Sequence, residues 1–171
     1  MINASFVGGK VSSNSAEAVN LFSERRFGEK FEDKILYSFF EAFYLMKARQ
    51  LQICDFRGND ISVGEFEKKA TRADKDFGMK FAVFADLRKK GYIVKTALKF
   101  GAEFRVYDKG SKISKDHSRW VCFAVGEAEK MTWHNFVAKN RVAHSTKKNL
   151  LIAVVDDENA ISYFEVGWKK I

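Results

Sequence analysis

One run of six apolar residues constrains the fold of this chain more than any other feature. Residues 150–155 read Leu-Leu-Ile-Ala-Val-Val, without the polar alternation of a strand that has one face in water. The run has the length and the branched side chains of a strand, and it is far too short to span a membrane. It therefore predicts a central β-strand that is covered on both faces.

Helix and strand signals divide the chain near residue 75. Residues 1–75 predict a small α/β domain, and residues 76–171 predict a mixed-sheet α/β domain in which strands outnumber helices, so the fold class is α+β. Apolar periodicity, caps and glycine stops predict helices at 15–27, 32–49, 62–70, 76–90 and from 132 onward. β-Branched and aromatic runs predict strands at 51–56, 92–100, 104–107, 120–125, 150–155 and 161–168. In the helix that Thr132 caps, we expect Trp133, Phe136 and Val137 to face inward.

Composition narrows the class of partner. The net charge is +8, and a basic surface attracts polyanions such as nucleic acid, although a solvated basic surface with no partner is the commoner interpretation of charge alone. The two cysteines, Cys54 and Cys122, lie in apolar runs and are expected to be reduced, which favours a cytoplasmic protein. No apolar run approaches the roughly 18 residues of a membrane span, and the N-terminus lacks the pattern of a signal peptide.

Histidine is scarce, so each of the three is informative. His117 follows Lys115 and Asp116 between two strand signals, where it is either an acid–base group or a solvated surface side chain. The histidines lack zinc-site spacing and no carboxylate cluster accompanies them, so we expect no metal and no cofactor. A phosphate-binding glycine loop and a serine nucleophile elbow are also missing from the sequence.

Three collinear blocks stand out in the second half of the chain. Residues 91–107 read GYIVKTALKFGAEFRVY and end in a tyrosine, His117 follows ten residues later, and residues 141–156 read RVAHSTKKNLLIAVVD. These blocks resemble those of the archaeal tRNA-splicing endonucleases, a family that places a histidine where His117 stands and a lysine within the last block. Residues 41–45 also resemble a helical motif of the family's N-terminal domain. The resemblance implies a nuclease-like C-terminal domain.

The resemblance implies a catalytic triad of Tyr107 as general base, His117 as general acid and Lys148 as the cation of the transition state. The chemistry suits these residue types, because RNA supplies its own nucleophile, the 2′-hydroxyl. The enzyme needs only to remove that proton, to steady the charge on phosphorus and to protonate the leaving oxygen. The expected products carry a 2′,3′-cyclic phosphate and a 5′-hydroxyl, and no metal is required.

The resemblance also implies contacts to the substrate, a precursor tRNA with a bulge-helix-bulge motif. Arg141 matches an arginine that the family stacks on an extruded base, and Lys147 occupies a basic position beside the catalytic lysine. A second such arginine in some members has no counterpart here, and we expect Tyr163 to stack in its place.

An assembly is implied as well. The turn formed by Asp156, Asp157 and Glu158 matches a loop that docks into a basic cleft of an opposing subunit, although acidic residues also favour ordinary hairpin turns. We expect a tetramer, either of identical chains or of catalytic and structural subunits.

Two other functions remain open at this point. The chain could be a non-catalytic structural or RNA-binding subunit of the same complex, but such subunits typically lack part of the triad, which is complete here. A DNA nuclease of similar fold would need clustered acidic metal ligands, which the sequence does not offer.

Overall fold

The structure is a computed structural model that describes residues 1–111, 117–169 and 171. These residues form two compact units. The units are Met1–Phe77 and Gly78–Ile171, and each contains one sheet with helices. The expected two-domain α+β fold is thereby confirmed. None of the described helices is both long and apolar enough to cross a membrane.

The first unit is a six-stranded mixed sheet with three helices. Its elements are β1 (Ile2–Val7), β2 (Lys10–Ser13), α1 (Ala16–Arg25), β3 (Glu29–Phe31), β4 (Lys34–Tyr37), α2 (Phe39–Lys47), β5 (Leu51–Cys54), β6 (Asp60–Ile61) and α3 (Val63–Ala73). The strand order is β3-β4-β2-β1-β5-β6, with only β1 and β5 parallel among these neighbours. Phe43 packs against Phe66 and Phe77, so phenylalanine rings form much of this core.

The helix predicted at 32–49 is wrong in its first third. Residues 29–37 form the hairpin of β3 and β4, and the helix begins only at Phe39. Ser38 caps it in a capping box with Glu41, which fixes the start. The four-residue step from Ile35 to Phe39 looked helical, but Ile35 and Tyr37 are buried alternately along a strand. The short strands β1 and β2 were not predicted.

The second unit is a five-stranded mixed sheet flanked by helical segments. Its elements are α4 (Phe77–Lys89, whose first residue belongs to the first unit), β7 (Ile93–Thr96), β8 (Phe104–Tyr107), β9 (Trp120–Gly126), α5 (Trp133–Ser145), β10 (Asn149–Val155) and β11 (Ile161–Val166). The strand order is β11-β10-β9-β8-β7, and β9 and β10 are the parallel pair. As predicted from its unbroken apolar run, β10 is an interior strand with most side chains buried.

The predicted strand at 92–100 is shorter in the structure. It ends at Thr96, and a 3-10 turn at Leu98–Phe100 follows. Gly101 ends that turn with a φ of 68°, in the left-handed region that glycine adopts readily.

The inward orientation predicted for α5 is partly wrong. Phe136 is half-buried against the apolar core that includes Phe123 and Ile152, but Trp133 is 81% exposed and Val137 is 38% exposed. The helix packs through a narrow stripe that includes Phe136 and the buried Ala143, seven residues apart on one side. Trp133 and Val137 lie outside that stripe, so their apolar character does not serve the core.

We expect Gly28→Ala to destabilise the protein, because Gly28 has a φ of 79° and an added Cβ would meet the Ile35 side chain and the Leu36 carbonyl oxygen. Left-handed strain and overpacking together predict a loss of about 2–4 kcal/mol in the free energy of unfolding, measured by denaturant titration. Gly58→Ala is the matched control, since Gly58 has a φ of 87° but no described atom within 4 Å of the added Cβ. Equal losses in the two variants would contradict the crowding argument.

Candidate active site

One edge of the second unit's sheet collects the residues expected to be catalytic. Val106 on β8 lies opposite Trp120 on β9, and Trp120 lies opposite Asn149 on β10. Beyond that row lie Tyr107, which ends β8, and Lys148, which immediately precedes β10. The strand register therefore brings Tyr107 and Lys148 to the same edge of the sheet.

Arg119 joins the three strands at this edge through its backbone. Its amide donates to the Val106 carbonyl oxygen at 2.9 Å, and its carbonyl oxygen accepts from the Asn149 amide at 3.0 Å. These bonds extend the β8–β9–β10 ladder by one residue beyond β9. They hold the approaches to Tyr107 and Lys148 in a fixed register.

Tyr107 and His117 occupy different environments at this edge. Tyr107 is only 5% exposed, and its backbone lies opposite Ile93 on β7. His117 lies three residues before β9 and is exposed. Lys115 and Asp116, which precede it in the sequence, lie outside the described residues. The edge thus joins a buried phenol on β8 with the exposed segment that carries the histidine.

A helix-terminating turn positions Lys148. After α5 ends, the Lys147 amide donates to the His144 carbonyl oxygen at 3.0 Å and the Lys148 amide donates to the Ala143 carbonyl oxygen at 2.9 Å. This is the bond pattern of a Schellman motif, which requires a left-handed residue, and Lys147 has a φ of 56°. Since the turn reverses the chain directly into β10, it fixes where Lys148 enters the sheet edge.

The Lys148 ammonium lies in surroundings that disfavour its positive charge. It is half-buried, and its Nζ donates to the Thr146 carbonyl oxygen at 2.8 Å. Burial, and then repulsion from Arg105, lower the pKa of Lys148 below that of an ordinary lysine. Both effects disfavour the positive charge of Lys148 in the unliganded protein. An anion beside Lys148 would offset them, because it interacts favourably with the ammonium.

Two arginines of this edge were missed by sequence reasoning. Arg105 lies two residues before Tyr107, hence on the same face of β8, and its Nε donates to the Thr96 carbonyl oxygen at 3.2 Å. The Arg119 side chain lies 3.4 Å from Asp108 and 4.0 Å from Glu165, in exposed ion pairs. Their positions two residues before Tyr107 and two after His117 were visible in the sequence, but isolated charges there do not reveal the shared edge.

The residues expected to contact RNA lie on a helix, on the turn that follows it and on a strand. Arg141 is exposed on α5, and Lys147 is exposed in the turn that follows this helix. Tyr163 lies on β11, where it is half-buried and its hydroxyl donates to Asp86 Oδ2 on α4 at 2.7 Å. Lys90 Nζ also reaches Asp86 Oδ2, at 2.6 Å, and lies 4.9 Å from the centre of the Tyr163 ring. Tyr163 is thus tied to α4, whereas Arg141 and Lys147 project from exposed positions.

The acidic turn joins β10 to β11. Asp156 Oδ1 accepts from the amides of Glu158 at 2.9 Å and Ala160 at 2.8 Å, so this carboxylate holds the turn itself. Asp157 and Glu158 are exposed beyond it. Among the residues described, no three His, Cys, Asp or Glu side chains cluster in a way that could hold a metal ion.

Comparison with known proteins gives this arrangement a family. Residues 77–163 match the model of the tRNA intron endonuclease catalytic C-terminal domain. Residues 2–67 match the model of the tRNA intron endonuclease N-terminal domain. The chain belongs to the tRNA intron endonuclease family. The predicted resemblance to archaeal tRNA-splicing endonucleases is thereby confirmed.

Individual relatives in this family align with most of the length of this chain. The tRNA-splicing endonuclease of Pyrococcus abyssi is 38% identical over 164 residues, which cover 95% of this chain and 94% of the relative. That of Nanoarchaeum equitans is 42% identical, covering 76% of this chain and 86% of the relative. That of Methanothermobacter thermautotrophicus is 35% identical, covering 88% and 87%.

We expect Arg105→Gln to raise the pKa of Lys148 in this tRNA intron endonuclease family member. Removing a neighbouring positive charge favours the protonated ammonium, so the Lys148 titration should move to higher pH. Side-chain nitrogen NMR across alkaline pH measures this titration directly. Arg141→Gln, which removes an exposed arginine of α5, is the matched control and should leave Lys148 unchanged. An unchanged Lys148 titration in Arg105→Gln would contradict the repulsion.

Proposed function

We propose that this chain is a catalytic subunit of a tRNA-splicing endonuclease that cleaves precursor tRNA at the intron boundaries. The observation that carries the proposal is the single sheet edge that holds Tyr107, Lys148 and the segment leading from His117. It occurs in a chain whose relatives are named tRNA-splicing endonucleases. The presence of all three residues favours a catalytic subunit over the structural one.

The reaction is a transesterification within the RNA backbone. Tyr107 takes the proton of the 2′-hydroxyl, the 2′-oxygen attacks phosphorus, and His117 protonates the departing 5′-oxygen. The products are therefore a 2′,3′-cyclic phosphate and a 5′-hydroxyl. The position of Tyr107 supports this role, because it ends β8 two residues after Arg105 and lies at the same sheet edge as Lys148.

Lys148 stabilises the charge that develops on the phosphorane. A preorganised donor of this kind is commonly worth about 3 kcal/mol of barrier. The ammonium is held half-buried and near Arg105 in the free protein, so the negative charge of the transition state relieves the repulsion between the two cations. The phosphorane carries one more negative charge than the bound phosphodiester, so this relief is larger in the transition state, which is the condition for lowering the barrier.

Arg119 contributes to binding of the RNA backbone at the same edge. Its ion pairs with Asp108 and Glu165 are exposed and long, and pairs of this kind contribute little stability. A phosphate can therefore compete for the guanidinium at small cost. Arg141 and Lys147 extend the basic surface to α5 and its terminal turn. Tyr163 is held by Asp86 on α4, and its role in stacking on an extruded base rests on the family resemblance.

The proposal is tested by incubating the purified protein with a bulge-helix-bulge RNA in EDTA and measuring the single-turnover rate. Wild-type protein should cut the RNA, and His117→Ala should slow cleavage about 10²–10⁴-fold because the leaving oxygen loses its acid. His134→Ala is the matched control, since His134 is an exposed histidine on α5 and should leave the rate unchanged.

The outcomes separate the possible failures. An unchanged rate in His117→Ala would refute the role of His117. If wild-type protein does not cut, co-purification with a second subunit followed by the same assay decides whether a partner completes the enzyme. Continued absence of cleavage in the reconstituted assembly would refute the catalytic assignment.

The assembly is proposed to be a tetramer, joined through the turn of Asp156, Asp157 and Glu158. The exposed carboxylates of Asp157 and Glu158 support it, because they are available to a basic surface while Asp156 maintains the turn. Precursor tRNA presents two cleavage sites, and two catalytic sites at a fixed separation in one assembly meet that need.

Light scattering of the native protein should give a mass near four times the 19.6 kDa of one chain. Reversing the charge of Asp157 and Glu158 to lysine should lower that mass, because like charges would then face the basic partner surface. The control reverses Glu32 and Asp33, an exposed acidic pair in the β3–β4 turn, and should leave the mass unchanged. A wild-type mass near one chain would contradict docking through the acidic turn.

A further inference from the structure

Trp133 is the most exposed of the three tryptophans. It is the first residue of α5, and 81% of its surface is accessible. Its indole meets Phe136 edge-on, with ring centres 5.8 Å apart, and Phe136 in turn packs against the buried core around Phe123. The indole is therefore supported from behind by the core while its outer surface remains in water.

The helix that carries Trp133 has only basic charges. Residues 130–155 contain no Asp or Glu, and within α5 the charged side chains are Lys139 and Arg141. The first turn also lacks the acidic residue that commonly compensates the positive end of a helix. A helix of this charge pattern favours a polyanionic partner over an ordinary protein surface.

Exposed side chains continue along one side of α5. Val137 follows Trp133 by four residues and Arg141 follows Val137 by four, so the three lie within one stripe of successive turns. All three are exposed. The stripe thus begins with an aromatic platform and ends with a guanidinium, the two groups on which unpaired bases stack in single-stranded nucleic acid.

We propose that Trp133 is a stacking platform for an unpaired nucleobase of the RNA substrate, two helical turns from Arg141. The inference rests on the proposed function, since it names a further recognition contact to the same RNA. Aromatic stacking does not depend on base identity, so Trp133 binds an unpaired base without selecting its sequence. Its place in binding is separate from the triad, because it lies on α5 and not at the strand edge that carries Tyr107 and Lys148.

A second exposed aromatic provides the contrast. Phe56 in the first unit is 73% exposed, but the surface around it mixes Asp55, Asp60 and Glu65 with Lys69, and the Arg57 guanidinium lies 5.1 Å from the centre of its ring. Arg57 already covers this ring, and the neighbouring carboxylates disfavour an RNA phosphate, so exposure of an aromatic ring is insufficient by itself. The acid-free helix is what distinguishes Trp133.

The experiment measures binding and chemistry separately. A bulge-helix-bulge RNA with 2′-deoxy substitutions at the scissile positions is titrated into wild type, Trp133→Ala, Trp133→Phe and the control Phe56→Ala, and Kd is read by fluorescence anisotropy. Trp133→Ala should weaken binding about 5- to 150-fold, whereas Trp133→Phe should retain most of the affinity because a ring remains. Phe56→Ala should bind like wild type. Cleavage of all-ribose RNA at saturating protein should stay within about threefold of wild type in Trp133→Ala, because the triad is untouched.

Each result has one meaning. Wild-type binding together with an unchanged Kd in Trp133→Ala would overturn the stacking proposal and leave the proposed function standing. A wild-type protein that does not bind the RNA, either alone or reconstituted with a second subunit, would contradict both. If Trp133→Ala instead lowers the native mass measured by light scattering, the surface is an interface between copies of the chain, and the RNA proposal is overturned. Trp133→Ala with wild-type mass, weakened binding and retained cleavage would support it.

Discussion

The parallel pairing of β9 with β10 is the interaction on which the rest of the second unit depends. Seven residue pairs, from Asn149 opposite Trp120 to Val155 opposite Gly126, align the two strands, and both are largely buried. A slip of one residue would turn every side chain of β10 to the other face, so burial on both faces holds the register strongly. That register also sets the position of Lys148 relative to Tyr107. Tyr107 is the residue after Val106 and Lys148 is the residue before Asn149, and Val106, Trp120 and Asn149 form one row across the sheet.

A short connection links the proposed RNA-contacting helix to the proposed catalytic lysine. The Schellman turn at Lys147 ends α5 and starts β10 without an intervening loop. Arg141 on the helix, Lys147 in the turn and Lys148 at the strand edge are therefore held by one rigid reversal. In the proposed enzyme, a base bound on α5 would be placed relative to Lys148 by backbone geometry alone.

Local signals predicted a large part of this fold, whereas the proposed triad came from the resemblance to the family. The unbroken run at 150–155 identified an interior strand, and Ser62 with Glu65 marked the start of α3. The β3–β4 hairpin was mistaken for helix because Ile35 and Phe39 happen to lie four residues apart, a spacing that a strand followed by a capped helix reproduces. Periodicity alone did not separate the two.

Long-range facts were beyond the sequence. The common edge of Tyr107, Arg119 and Lys148 depends on strand register, which connects residues far apart in the chain. The exposure of Trp133 depends on which stripe of α5 meets the sheet, and an apolar residue gives no sign of being left outside. Strand register and the exposed side of α5 are both determined by tertiary packing, which the local sequence pattern does not reveal.

The central claim is that His117 and Lys148 act together in one chemical step at this edge. A double-mutant cycle on the single-turnover cleavage rate tests it most directly, with His117→Ala, Lys148→Ala and the combined variant. Residues that serve one transition state are not additive, so the double variant should be about as slow as the slower single variant. If instead the two losses multiply in full, the residues act independently, and the account of a shared catalytic edge is contradicted.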